Sequence, residues 1–494
     1  MLVIRIVEKL LILYFLLYLL IDIWLYASAF VLFFTRKRGR KSAQKGDVIS
    51  DDHSVCIIVP AYNEEVSVVQ CIRMLLKLNH TNYKVIVVND GSRDRTLARL
   101  LEGFSATPAT VHTNNLPLET ASIRGVYSDE SGKLLVIDKE NGGKADAINA
   151  GINYCESDFV CTIDADSILD GEALRRVTAP MIQDPSVFVS GGQIALSNDL
   201  TLQDNRVVSA RMPKNIWVHW QILEYISTFM IARLTLSRLN ALLIMSGAFS
   251  VFRRKDLQEV GGFLSPNNSH PYIVKQMGTG KHTITEDMEV VLRLWKYYHD
   301  KRRKGRVVFL PGPVCWTEAP ERGKPLFTQR ARWHQGLAES LWMYRSMLFE
   351  PKYKITGLIA LPYYLFMELV APLVKLFALA FVTTLVITGE LNQQWVILML
   401  LGVIVVTTLI MSSITVMIEH WSMHQSAANR DALRYKTFAD WVVLLGSGVI
   451  GNFSYSFFKM FAQIQGMINY LRKRHEWKKI ERRGLNERIN STST

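Results

Sequence analysis

The chain has 494 residues, 49% of them hydrophobic and 20% charged, with a formal net charge of +13 and a mean hydropathy of +0.12. That length holds two or three folded units, and the hydropathy is high for a soluble protein. The basic residues cluster at 36–41, 301–306 and 472–479, beside apolar segments. This pattern argues against nucleic acid as a partner and for anionic lipid headgroups, or for solvated flanks that topology alone demands.

Residues 11–34 carry a single charge, Asp22, over more than the roughly 20 residues a helix needs to cross hydrocarbon. The run is too long for the apolar region of a signal peptide, lacks a small-residue cleavage site, and ends in the basic stretch RKRGRK. Basic flanks stay in the cytoplasm, so the polar insert that follows is expected there. Stretches 355–388, 395–418 and 441–470 are also long and apolar. The expected organisation is an N-terminal transmembrane helix at 1–36, a cytoplasmic domain at 51–345 with interfacial helices, transmembrane and interfacial helices at 346–470, and a basic tail at 471–494.

Within the insert, "SVCIIVPAYNEE" (54–65), "YKVIVVNDGSRDRT" (83–96) and "GKLLVIDKENGGKADAINAGI" (132–152) each read as a β-rich run, a polar turn and a helical pattern. "ESDFVCTIDADSILDG" (156–171) adds a further strand. Alternation at this spacing predicts a mostly parallel sheet with helices on both faces, whose ligand crevice lies beyond the carboxyl ends of the strands. Asn63 and Glu64, Asp90, Asp138 and Lys139, and Asp164 and Asp166 all fall just after their strands, so they converge on one cleft. Any single acid there can be no more than a helix cap. Of the five cysteines, Cys56, Cys155 and Cys161 lie in or beside strands without CxxC spacing, as small core residues do.

Two phosphate-binding patterns are missing, G-x-G-x-x-G and G-x-x-x-x-G-K-[ST]. Asn141-Gly-Gly-Lys144 offers a turn whose backbone amides can approach an anion, with Lys144 as a nearby charge; a plain turn fits it too. Asp164-Ala165-Asp166 suits a hard divalent ion that reaches the protein through one or two carboxylates plus substrate phosphates. Alternating side-chain direction aims both acids the same way if the strand continues. Small residues in 191–196, 244–254 and 260–265 leave room for a ligand to pass. "TITEDMEVVLRLWKY" (283–297) starts a helix, with Thr285 as N-cap and Glu286 and Asp287 in the first turn. Those acids either favour the helix dipole or include a general base. In "FTQRARWHQG" (327–336), Gln329, Arg332 and Trp333 share one helix face. Trp offers a platform for a sugar ring and Arg grips phosphate; a snorkelling Arg and an interfacial Trp are the plainer alternative. "HWQILEYISTFMIARL" (219–234) reads as an interfacial helix, with a core helix as the alternative.

The ordered series Asp90, Asp164-Ala165-Asp166, Thr285-Glu286-Asp287 and Gln329-Arg330-Ala331-Arg332-Trp333 resembles the processive family 2 glycosyltransferases of membranes over residues 54–340. That group makes cellulose, hyaluronan, chitin-like oligomers and poly-N-acetylglucosamine. The resemblance implies an α/β GT-A-like nucleotide-sugar transferase domain inserted between transmembrane helices of a multi-pass α-helical membrane protein, in a bacterial inner membrane with its catalytic domain cytoplasmic. It implies that Ala61, Asn63, Glu64 and Asp90 hold the uridine, with Gly143 and Lys144 on the nucleotide side. Asp164 would sit near the diphosphate and Asp166 would bind Mg²⁺ or Mn²⁺. Asp287, beside Glu286, would be the catalytic base, and Gln329, Arg332 and Trp333 would hold the diphosphate and the acceptor end of the chain.

The implied partners are a UDP-sugar donor, a growing polysaccharide acceptor, membrane lipid, and a regulatory or export subunit. The phrasing of 136–153 and 246–254 is most similar to bacterial poly-N-acetylglucosamine synthases, which points to UDP-N-acetylglucosamine. Two departures stand out. A single membrane segment precedes the domain where those synthases are expected to have two, and no cyclic-di-GMP-binding domain follows the last one, which speaks against cellulose. The alternatives are a non-processive transferase adding one sugar to a lipid acceptor, a hyaluronan- or cellulose-type synthase using another UDP-sugar, and a membrane sensor or transporter subunit with a decayed domain.

Overall fold

A computed structural model describes residues 2–43, 53–113, 117–203, 206–424 and 431–474. The strands, in chain order, are β1 Val55–Ala61, β2 Tyr83–Asp90, β3 Thr107–Pro108, β4 Ile123–Ser128, β5 Leu134–Lys139, β6 Phe159–Ile163, β7 Ile168–Leu169, β8 Val187–Leu196, β9 Leu200–Gln203, β10 Arg206–Ala210, β11 Phe249–Arg253 and β12 Arg306–Thr317. Ten of them form one sheet in the order β3-β4-β5-β2-β1-β6-β11-β8-β12-β7, and β9 pairs with β10. β1 is Val-Cys-Ile-Ile-Val-Pro-Ala and almost wholly buried, a β-branched run of the kind that strands covered on both faces require.

The block β5-β2-β1-β6 is parallel, as predicted. The rest of the sheet is mixed: β12 runs parallel to β8, whereas β11 runs antiparallel to both β6 and β8, β4 to β3 and β5, and β7 to β12. The sheet is therefore mixed rather than mostly parallel. The β4–β5 pairing is a hairpin, closed where the Asp129 side chain accepts from the Leu134 amide and Gly132 takes φ +67°. β11 enters from the opposite end because the chain first leaves the sheet for a long helical excursion.

That excursion is the segment predicted as interfacial. It forms a helix Ile216–Glu224, a π-helical turn Tyr225–Ala232 and a helix Arg233–Arg238. Much of it is buried, and it joins the ten-stranded sheet to the apolar helices. Thr235 donates to the Leu25 carbonyl on the N-terminal helix, Trp220 Nε1 to the Ser447 carbonyl, and Ser237 to the Val307 carbonyl of β12. Its buried residues fit the core-helix alternative, and its place between the sheet and the apolar helices fits the interfacial one.

Two helical stretches, Val3–Leu32 and Val405–His424, are long and apolar enough to cross a membrane. Two bent pairs pass the same test together, Thr356–Leu369 with Ala371–Ile387 at 42° and Phe438–Phe453 with Tyr455–Leu471 at 50°. The first pair bends near Pro372, which cannot donate to the helical ladder. The N-terminal helix continues to Ala43, past the predicted end at 36. All five cysteines are buried and unpaired, as the strand pattern predicts. The basic cluster at 301–306 is partly consumed within the domain: Arg303 pairs with Asp256 and Glu259, and Arg306 with Asp184. Most of the basic tail, 475–494, lies outside the described residues.

Candidate active site

Because β5, β2, β1 and β6 run parallel, Lys139, Asp90, Ala61 and Asp164 all arrive at one edge of the sheet. Asp90 ends β2 and is buried. Its carboxylate accepts from Lys139 Nζ at 2.7 Å, the Gly142 amide at 3.0 Å, the Gly143 amide at 2.8 Å and Asn141 Nδ2 at 3.2 Å. Lys139 is wholly buried and also pairs with Asp146 at 2.7 Å. Asp90 thus holds the Asn141–Gly143 turn and with it the start of helix Lys144–Asn153, where Gly143 takes φ +89°. Ala61 closes β1. Beyond it, Asn63 Oδ1 accepts from the Arg93 amide and the Glu64 amide donates to Thr96, so the loops after β1 and β2 are stitched together.

Asp164 follows β6, but the strand stops at Ile163 and a turn closes with the Ser167 amide on the Asp164 carbonyl at 3.0 Å. Strand alternation therefore does not orient Asp164 and Asp166; the turn does. Lys144 Nζ lies 2.8 Å from Asp164 Oδ1 and 2.8 Å from Glu286 Oε1, bridging two elements. Although burial opposes it, these two carboxylates hold the Lys144 ammonium above its ordinary range.

Glu286 and Asp287 open helix Glu286–Asp300. Thr285 occupies the N-cap position without a capping side-chain bond; its hydroxyl lies instead 3.5 Å from that of Ser340. Asp287 Oδ2 accepts from the Gly247 amide at 2.9 Å and Oδ1 from the Met288 amide at 2.9 Å. Burial first, then the neighbouring Glu286, pushes its carboxyl up to about 6, against the pull of Lys144, the Gly247 amide and Arg233.

Helix Gly323–Met343 supplies the fourth side. Burial depresses the Arg332 guanidinium, while Glu286, Asp164 and Asp287, within electrostatic reach, all pull the other way. Trp333 packs edge-on against Phe229, centroids 5.5 Å apart. Gln329 is buried and accepts from Arg330 at 2.5 Å.

The structure thus gathers Lys144, Asp164, Glu286, Asp287 and Arg332 around one point. Asp90 and Asn63 act through the loops they hold. Two residues near that point were not singled out from the sequence. Gly247 lies at its centre: a Cβ there would sit 3.1 Å from Lys144 Nζ and 3.2 Å from Asp287 Oδ2. The small-residue stretch 244–254 was the signal that could have found it. Arg233, buried, exerts its charge on Asp287 from the helical excursion.

Among the described residues no three carboxylate, imidazole or thiolate groups form a metal cage. Asp164 and Asp166 on one turn nevertheless match a divalent ion bound through one or two carboxylates, with substrate phosphates completing the shell. Acids and cations thus converge beyond the carboxyl ends of the parallel strands, where open α/β sheets place their ligand crevice. A family model described as "Glycosyltransferase like family 2" matches residues 53–336, and the chain belongs to that family.

The chain is similar to a poly-beta-1,6-N-acetyl-D-glucosamine synthase of Staphylococcus aureus, 26% identical over 320 residues, covering 64% of this chain and 63% of that protein. A Staphylococcus epidermidis protein of the same name is 24% identical over 319 residues, with the same coverages. The match therefore spans a little under two thirds of these relatives' length. Among solved structures, a mannosyltransferase from Pyrobaculum calidifontis in complex with GDP-Man and Mn²⁺ gives a TM-score of 0.49 at 15% identity, covering 95% of this chain and 100% of that one. Staphylococcus aureus TarS 1–349 with UDP-GlcNAc gives 0.33 at 17%, covering 64% and 78%.

Proposed function

We propose that this glycosyltransferase is an inverting, processive synthase that polymerises a UDP-sugar, UDP-N-acetylglucosamine, into a β-linked polysaccharide and exports it through its own membrane helices. The observation that carries the reading is the convergence of Lys144, Asp164, Glu286, Asp287 and Arg332 at the carboxyl edge of the sheet, beside helices suited to a bilayer. The similarity to the staphylococcal synthases supports the choice of sugar.

In this reading the first loop, Ala61 to Glu64, and Asp90 shape the uridine pocket, Asp90 through the Asn141–Gly143 turn. Gly143 and Lys144 meet the diphosphate. Asp164 and Asp166 would hold Mg²⁺ or Mn²⁺, which supplies charge neutralisation for the departing diphosphate when bound. Asp287, activated by burial, takes the proton of the acceptor hydroxyl. The freed oxygen attacks C1 of the sugar from the face opposite UDP. The C1–oxygen bond breaks, its electron pair leaves with UDP, and the linkage emerges β. Arg332 faces the leaving group and offsets its growing charge. Gln329 and Trp333 seat the acceptor end, and the catalytic unit faces the cytoplasm of a bacterial cell.

The test is UDP release by the purified full chain in nanodiscs with Mg²⁺ or Mn²⁺, against a panel of UDP-sugars, with product sizing and Asp287→Asn as control. Long product from UDP-N-acetylglucosamine, lost in the variant, is expected. Turnover of a different sugar would replace the polymer, and single-sugar products would rule out processivity.

A further inference from the structure

Helix Gly323–Met343 carries Gln329 and Trp333, yet the side chain that touches both is Arg330, between them in sequence. Its Nη1 donates to Gln329 Oε1, and its guanidinium lies 4.2 Å from the Trp333 ring centroid. Arg330 is buried, and two further donors go to Glu224 Oε2, Nη2 at 2.6 Å and Nε at 3.2 Å. Glu224 sits on a different element, the end of helix Ile216–Glu224. It is itself a hub: Tyr455 Oη donates to it at 2.7 Å and Lys459 Nζ lies 3.3 Å away, both on helix Tyr455–Leu471. The same carboxylate lines a cavity of about 220 Å³ whose walls include Tyr26, Trp220 and Thr408.

Three elements therefore meet at one buried ion pair. One bears the side chains read as acceptor-binding, one is the bulged helix that joins the sheet to the apolar helices, and one belongs to the C-terminal bent pair. Arg presents its donors in a fixed planar fork, so satisfying Glu224, Gln329 and a ring face together leaves it one orientation. Arg330 cannot shift without moving Gln329 and the ring it stacks on.

We infer that Arg330, fixed by Glu224, is a positioning residue that sets Gln329 and Trp333 at the acceptor side of the site and makes their placement depend on the membrane helices. The inference rests on the proposed reading for what Gln329 and Trp333 contact. It assigns Arg330 no contact with donor or acceptor.

The experiment uses the full chain in nanodiscs with fluorotryptophan incorporated, the Trp333 resonance being identified by its loss in Trp333→Phe. Glu224→Gln and Arg330→Lys are compared with wild type by fluorine spectrum and steady-state kinetics. Glu224→Gln, which weakens the hold on Arg330, is expected to move or broaden the Trp333 resonance. It is also expected to leave the donor KM within about twofold, lower kcat at least about tenfold, and shorten the product. Arg330→Lys keeps the charge but loses the fork, and is expected to do the same. If both variants lower only the Tm, with an unmoved resonance and unchanged kinetics in the folded fraction, the inference is overturned. Should Glu224→Gln fail to fold, Tyr455→Phe removes one hydrogen bond to Glu224 and is expected to produce a smaller shift of the same resonance. If wild type turns over no UDP-sugar, the functional reading falls while the fluorine spectrum still decides the inference.

Discussion

At Asp287 burial and the proposed role of general base pull against each other, and both can be measured. A buried carboxyl raised to about 6 is protonated in a growing fraction of molecules as the pH drops through that value. As a base it works only ionised, so kcat/KM is expected to fall tenfold per pH unit well below about 6; a profile flat down to pH 4.5 would exclude Asp287 as the base. The stability sign follows from the same shift. The folded pKa lies above the unfolded one, so the contribution is full below the unfolded value near 4 and is lost as pH rises to about 6. Asp287→Asn is therefore expected to cost about 10²–10⁴-fold in turnover. The same variant should raise the melting free energy at neutral pH by about 1–2 kcal/mol, allowing for partial solvent screening. Lys144→Met leaves Asp164 and Glu286 facing each other without their bridge and is expected to raise the donor KM about tenfold or more. A donor KM unchanged by that substitution would detach Lys144 from the nucleotide side. Asp90, Asp164 and Asp287 were legible in sequence because each stands at a strand end or helix start, places that local patterning marks. Gly247 and Arg330 were not, because their importance comes from neighbours about a hundred residues away: Lys144 and Gly247 are 103 apart, and Glu224 and Arg330 are 106 apart.

At the scale of elements, the parallel block of the sheet was legible because strand, turn and helix repeat along the chain. The antiparallel insertion of β11 was not, since nothing local records the direction from which a strand re-enters. Helix–helix contact was equally hidden. Helix Tyr455–Leu471 packs on helix Gly323–Met343 at Gly466, where a Cβ would meet the Ala331 carbonyl oxygen and lie 3.0 Å from the Gln335 amide. Both obstacles are backbone, so no rotamer change relieves them. Gly466→Ala is expected to force the helices apart and to destabilise the protein by about 1–3 kcal/mol. The about 1 kcal/mol that alanine gains in helix propensity offsets only part of this. Gly446→Ala is the control: the structure places nothing within 4 Å of that Cβ, so its Tm should hold or rise. Equal effects of the two substitutions in thermal melts would show that the close approach at Gly466 does not matter. Because Gly466 opposes the residue next to Arg330, Gly466→Ala is also expected to lower turnover.

At the scale of the molecule, three simple crossings after the glycosyltransferase domain would leave the basic tail outside, although basic flanks stay in the cytoplasm. Contacts at both ends of the last bent pair suggest how this conflict is resolved. Just before the pair, Arg434 donates to the Leu196 carbonyl that ends β8, and Tyr435 donates to Glu419, which also accepts from Gln193 of that strand. After the pair, the Arg474 carbonyl accepts from Gln335. Both ends are tied to the catalytic unit, so we expect residues 438–471 to enter the bilayer and return rather than cross it. Helices Val3–Leu32, Thr356–Ile387 and Val405–His424 would then make three crossings, with both the RKRGRK stretch and the tail on the catalytic side. Single cysteines test this cleanly, because all five native thiols are buried. An impermeant maleimide applied outside intact cells is expected to label Arg5→Cys and Glu390→Cys and to spare Glu140→Cys and Arg472→Cys; permeabilised cells should label all four. Labelling of Arg472→Cys from outside would make the last pair a true span, and labelling of Glu140→Cys would invert the orientation and remove the catalytic unit from its nucleotide supply.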